Sequence, residues 1–165
     1  EITQNLLFVT GWGDHNATGS DVAKTWPFTT AVTSWKGTSD SWSTAAYPDI
    51  KYHVVSATGT QWGHTRAGLK FGGTIGDYFA LEAVENYRLK YVKIRSGYSA
   101  ATYSIVDENG DDVEGGEQQI IGGAYDATID FTLSDTTADT EYRIKLNTTA
   151  TANIRGLDIT YELVQ

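Results

Sequence analysis

A chain of 165 residues is long enough for one sizeable core and too short for two comfortable domains. Of the 21 acidic residues, eleven lie between Ser96 and Tyr142, a stretch without Lys or Arg, so the net charge of −9 is concentrated there. A nucleic-acid binder needs the opposite sign to neutralise phosphates, and no window reaches the roughly 20 apolar residues of a membrane-spanning helix.

Leu, Ile, Val and Phe sum to only 35 residues, near the level where disorder becomes a concern, but ten Tyr and five Trp add enough buriable area for a core. One folded domain over 1–165 is expected, with a loop-rich, Trp-rich third over 1–50 and regular strands over 51–165. Thr and Gly are the commonest residues, and sheet-favouring types outnumber straight-chain helix formers. Glu1 in place of an initiator methionine reads as a processed or trimmed start, such as a removed signal peptide or a fragment would give. The absence of cysteine leaves the compartment undecided.

In chain order, strands are expected at Leu6 to Thr10, Tyr52 to Ala57, Gly68 to Gly72, Tyr78 to Ala83, Arg88 to Arg95 and Tyr103 to Asp107. Three later runs alternate most cleanly: Ile129, Phe131 and Leu133; Tyr142, Ile144 and Leu146; and Leu157, Ile159, Tyr161 and Leu163. Alternation of this kind belongs to strands with one face on a core and one in water. Within Arg88 to Arg95 the apolar phase slips between Tyr91 and Val92, as a β-bulge would make it. Residues 80–90 have helix-forming composition, with Leu81, Val84 and Tyr87 at helical spacing. The alternating neighbours favour two strands joined by a turn at Glu85-Asn86. Glu108-Asn109-Gly110-Asp111 reads as a hairpin, with Asn-Gly supplying the positive φ angles of a type I′ turn. Short, evenly spaced strands with no long helix predict an all-β antiparallel sandwich of jelly-roll type.

Trp12, Trp26, Trp35, Trp42 and Trp62 all fall in the first 62 residues, mostly beside Gly, Ser, Thr or Asp. Trp26, followed by Pro27, reads as structural. Trp35 and Trp42 lack the apolar alternating company of a core residue. Flat indole faces suit the apolar C–H faces of sugar rings while neighbouring polar groups take the hydroxyls. The competing reading is that these rings plug the ends of the sandwich. A loose echo relates Thr10-Gly11-Trp12-Gly13-Asp14-His15 to Thr60-Gln61-Trp62-Gly63-His64, with Arg66 after the second. Side by side, the two loops would form a cleft with two stacking rings and several hydrogen-bonding groups. The candidate carbohydrate-binding residues are therefore Trp12, Asp14, His15, Trp35, Trp42, Trp62, His64 and Arg66.

Catalytic signatures are absent: no Gly-x-Ser-x-Gly elbow, no His-Glu-x-x-His, no cysteine and no phosphate-binding glycine loop. A glycosidase needs two carboxylates facing across a sugar, and spacing alone selects no pair. The expected class is non-enzymatic, with a small hydrolase ranked last. No cofactor is expected, with a structural calcium kept open. Asp107, Asn109 and Asp111 imitate the start of a calcium loop. Yet the glycine stands at the fourth position instead of the sixth and the twelfth is Gln118 instead of Glu, so the plain hairpin is favoured.

The scaffold strands carry a resemblance. Tyr78-Phe79-Ala80-Leu81-Glu82-Ala83 and Leu89-Lys90-Tyr91-Val92-Lys93-Ile94 are followed by Tyr103-Ser104-Ile105-Val106-Asp107-Glu108-Asn109-Gly110 and Gly115-Gly116. Phe131-Thr132-Leu133, Thr140-Glu141-Tyr142-Arg143-Ile144 and residues 154–162 close the series. Together these resemble the galactose-binding-like jelly-roll domains of secreted bacterial polysaccharide-degrading enzymes and surface lipoproteins, especially those of Bacteroidetes-type bacteria. The resemblance covers about half the chain and implies fold and setting. It assigns no binding residue. The expectation is a non-catalytic carbohydrate-binding module, extracellular or on a bacterial cell surface, within a larger enzyme or lipoprotein. Its partner would be a polysaccharide or oligosaccharide. The alternative is a structural or adhesive surface domain with no glycan site.

Overall fold

The computed structural model describes residues 2–7, 18–26, 30–32, 42–44, 50–64, 68–97, 99–124 and 127–164. The described residues form thirteen strands and no helix: β1 (Ile2–Leu7), β2 (Thr18–Trp26), β3 (Thr30–Val32), β4 (Trp42–Thr44), β5 (Ile50–His64), β6 (Gly68–Gly72), β7 (Tyr78–Leu81), β8 (Tyr87–Ser96), β9 (Ala101–Asp107), β10 (Gln119–Ile121), β11 (Thr128–Thr132), β12 (Tyr142–Leu146) and β13 (Thr151–Leu163). The antiparallel all-β sandwich expected from the sequence is present.

Hydrogen bonding passes through the order β10-β9-β12-β7-β5-β6-β13-β8-β11, with β2 added on β5 and β1 on β13; β3 and β4 form a separate pair. The path turns at β6, which pairs the far end of β5 on one side and the start of β13 on the other. The strands before this corner form one layer and those after it form the second. A jelly-roll order is not established by this connectivity.

Alternation explains the core. Phe79, Leu81, Tyr103, Ile105, Tyr142, Ile144 and Leu146 from the first layer meet Leu89, Val92, Ile94, Phe131, Leu157, Ile159 and Tyr161 from the second in one buried cluster. Phe71 and Leu69 of β6 close the corner between them. Residues 80–90, despite their helical spacing, are the end of β7, a tight turn and the start of β8. Asn86 takes a φ of 67°, and Tyr87 N–H donates to the Val84 carbonyl at 3.1 Å. Register with β12 on one side and β13 on the other overrides the local helix preference.

The 107–111 hairpin differs from its expected turn type. Only Gly110 takes a positive φ (81°), and Asn109 does not. Gly110 N–H donates to the Asp107 carbonyl at 3.0 Å, and Asp107 N–H donates to the Asp111 carbonyl at 2.9 Å. This is a type I turn followed by a left-handed glycine. The cause is Asp107, whose Oδ1 accepts from the N–H groups of Asn109 and Asp111, each at 2.9 Å, and thereby winds the turn in the right-handed sense.

Two further devices hold loops to the sandwich. The Tyr142 hydroxyl, at the start of β12, accepts from Thr137 N–H at 2.8 Å, the arrangement of a tyrosine corner. Arg88 donates through Nε to Glu162 Oε2 at 2.9 Å and through a terminal nitrogen to Thr136 Oγ1 at 3.1 Å. Buried Thr136 in turn donates to the Leu89 carbonyl.

Candidate functional site

Trp12, Asp14, His15, Trp35 and Arg66 lie outside the described residues. Trp42 opens β4, where it pairs with Val32 of β3. Trp62 and His64 stand at the end of β5, next to the 65–67 connection into β6. The β5–β6 register shifts between Gln61 and His64, so Trp62 lies within a bulge. On its other edge β5 is held by β2, through Thr18 opposite Gln61. The backbone thus brings Trp62 and His64 to one strand end. It puts Trp42 in a different sheet.

The acid-rich stretch has its own geometry. Asp107, Glu108, Asp112, Val113, Asp135, Thr137, Thr140 and Tyr142 line an open depression of about 300 Å³ beside the 107–111 hairpin. Two of its four carboxylates accept from loop backbone: Asp107 caps its own turn, and Asp135 Oδ1 accepts from Glu114 N–H at 3.1 Å. Nearby, Asp139 Oδ1 accepts from Asn86 N–H at 3.0 Å. Among the described residues no group of three or more His, Cys, Asp or Glu side chains is disposed to hold a metal ion. Asp107, Asn109 and Asp111 serve here as hairpin residues.

A third constellation lies on the outer face of β8, β11 and β13. Opposite Tyr161 and Thr160 of β13 stand Leu89 and Tyr91 of β8, which leaves Lys90 as an extra residue. This bulge reverses the phase of the strand. Leu89 and Val92 both enter the core, while Lys90 and Tyr91 both remain partly exposed. The phase slip legible in the sequence marks this bulge. What the sequence did not show is its effect, an aromatic ring delivered to the outer face.

From Tyr91 to Arg95, past the bulge, the register with both neighbouring strands is regular. Thr132 of β11 and Thr160 of β13 stand directly opposite it. One outward step along β8, Lys93 lies between Asp130 and Asp158 in the same way. The Tyr91 hydroxyl donates to Asp130 Oδ2 at 3.1 Å. Partial burial raises its pKa to about 12, with the Asp130 hydrogen bond and the charges of Asp130 and Asp158 acting in the same direction.

Among the described residues, no helix is long and apolar enough to cross a membrane. Comparison of the chain with protein-family models, with curated proteins and with solved structures gives no match.

Proposed function

We propose that this chain is a non-catalytic carbohydrate-binding module that recognises a neutral polysaccharide through exposed aromatic residues of its Trp-rich N-terminal third. One observation carries the reading. All five indoles are gathered in residues 12–62, mostly beside Gly, Ser, Thr or Asp and apart from the cleanly alternating apolar runs later in the chain. Large amphipathic rings in polar company are suited to sugar faces. The resemblance to jelly-roll domains of secreted bacterial polysaccharide-degrading systems agrees with this reading. It sets the module outside the cell or on the cell surface, as part of a larger polypeptide.

One to three stacked rings, minus association costs, correspond to affinities on the order of micromolar to millimolar. The near-neutral composition outside 96–142 (twelve basic and ten acidic residues) favours a neutral glycan. The test is affinity electrophoresis and array screening of the wild type beside Trp35→Ala, Trp42→Ala and Trp62→Ala. Retardation by one polysaccharide class, lost in at least one variant that keeps its fold, is the expected outcome. No retardation by any neutral or acidic glycan would overturn the reading and leave a structural or adhesive surface domain in its place.

A further inference from the structure

We infer that Tyr91 is the platform of a second glycan contact, on the outer sheet face of β8, β11 and β13, which takes a neutral pyranose sugar. The inference does not rest on the tryptophans, since it uses different residues on described strands.

The argument begins with the bulge. In an unbroken strand, Leu89 in the core would put Tyr91 in the core as well, because successive side chains alternate. The extra residue Lys90 instead turns Tyr91 outward and returns Val92 to the core. Bulges are a recurrent means of re-aiming a side chain near a site. Here the re-aimed group is a ring with an apolar face.

Next, the ring is held. Its hydroxyl donates to Asp130 Oδ2 at 3.1 Å, which fixes its lean across the sheet before a ligand arrives. A pre-oriented ring loses less freedom on binding than a mobile one. Thr132 and Thr160 flank the ring on the neighbouring strands. Lys93, one outward step away at about 7 Å along the strand, supplies a donor, and Asp130 and Asp158 supply acceptors. An apolar face edged by both donors and acceptors matches a sugar, whose hydroxyls do both and whose C–H face is apolar. The carboxylates of Asp130 and Asp158, one on each flanking strand, disfavour uronic acids and phosphates on that side of the ring.

With Tyr and Trp ring carbons labelled, the Tyr91 signal is assigned by its loss in Tyr91→Phe. Neutral gluco-, xylo-, manno- and galacto-oligosaccharides are then titrated to millimolar concentrations, with oligogalacturonate as the anionic arm. The expected result is that at least one neutral series moves the Tyr91 signal and oligogalacturonate does not. Tyr91→Ala should weaken that binding roughly 2- to 10-fold, on the scale of aromatic pair energies, and Tyr91→Phe, which keeps the ring, should weaken it less. The Tyr91 shift should also persist in Trp35→Ala and Trp62→Ala. A Tyr91 signal unmoved by every series, or moved only by oligogalacturonate, would overturn the inference. Movement of indole signals with a stationary Tyr91 would overturn it while sparing the tryptophan reading. Movement of Tyr91 with stationary indoles would do the reverse.

Discussion

Tyr91, Tyr103 and Tyr161 titrate above an ordinary phenol for related reasons. Burial pushes the Tyr103 and Tyr161 hydroxyls up, and Tyr91 is pushed up to about 12 by partial burial reinforced by Asp130. In the unfolded chain all three return to about 10. The folded state therefore binds more protons than the unfolded state above that pH. The stability linked to these protons is complete below about pH 10 and falls as pH rises through the folded values, from about 10 to 12 for Tyr91 and higher for the buried pair. Alkaline titration followed by tyrosinate absorbance is expected to show a delayed group of tyrosines that ionises together with loss of near-ultraviolet circular dichroism. Tyr161→Phe should move the alkaline unfolding midpoint upward. Ionisation of all ten tyrosines in one phase near pH 10 would contradict the burial of these rings.

Two glycines of the acid-rich region show how differently one residue type can be used. Gly110 and Gly115 both have positive φ, 81° and 89°. A Cβ on Gly110 meets nothing within 4 Å, whereas one on Gly115 would fall on the Thr132 carbonyl, which is backbone and cannot swing aside. Gly110→Ala is expected to cost about 1 kcal/mol, the penalty of the left-handed region. Gly115→Ala should cost about 2–4 kcal/mol, since the turn over residues 113–116 must also withdraw from β11. Urea denaturation of the two variants measures the difference, and equal losses would show that the close approach does not constrain the fold. The same contrast marks the limits of reading the sequence. Gly115-Gly116 is visible as a pair, but the Thr132 backbone that requires Gly115 is 17 positions away. Strands with one wet face, such as β11 and β12, were legible because burial on one side writes itself as alternation, whereas at the end of β13 Thr160 is buried and Leu163 is exposed against the expected phase. The turn at Asn86 was legible from the alternation around it. The turn type at Asn109 was not, because a side chain two residues earlier decides it. At the candidate site, the slip at Tyr91 was readable. Its partners Asp130 and Thr160 come from strands far along the chain, and periodicity carries no information about them.

At the scale of the whole molecule, the hydrogen-bonded path has two ends, β10 and β11, and the fold brings them together. Gln119 of β10 donates from its side-chain amide to the Asp130 carbonyl of β11 at 2.6 Å, a contact across the seam between the layers. Because this bond is exposed, Gln119→Ala is expected to cost no more than about 1 kcal/mol, or a Tm shift of about 2–4 °C. Its signature should be local: faster amide exchange in β10 and β11 with β12 and β13 unchanged. Uniformly faster exchange would mean that the seam contributes to global stability. The corner opposite that seam has a kinetic consequence. β13 pairs with β1 along Ile2–Leu7, with β6 and with β8, so one strand of residues 151–163 closes contacts spanning almost the entire sequence. Until those residues emerge during synthesis, three strands wait with unsatisfied edges that another copy could pair with. Folding of this chain must then be a late, whole-length event in the millisecond-to-second regime of sheets with distant partners, and a polypeptide kept extended until its last strand appears would have the safest route to this structure.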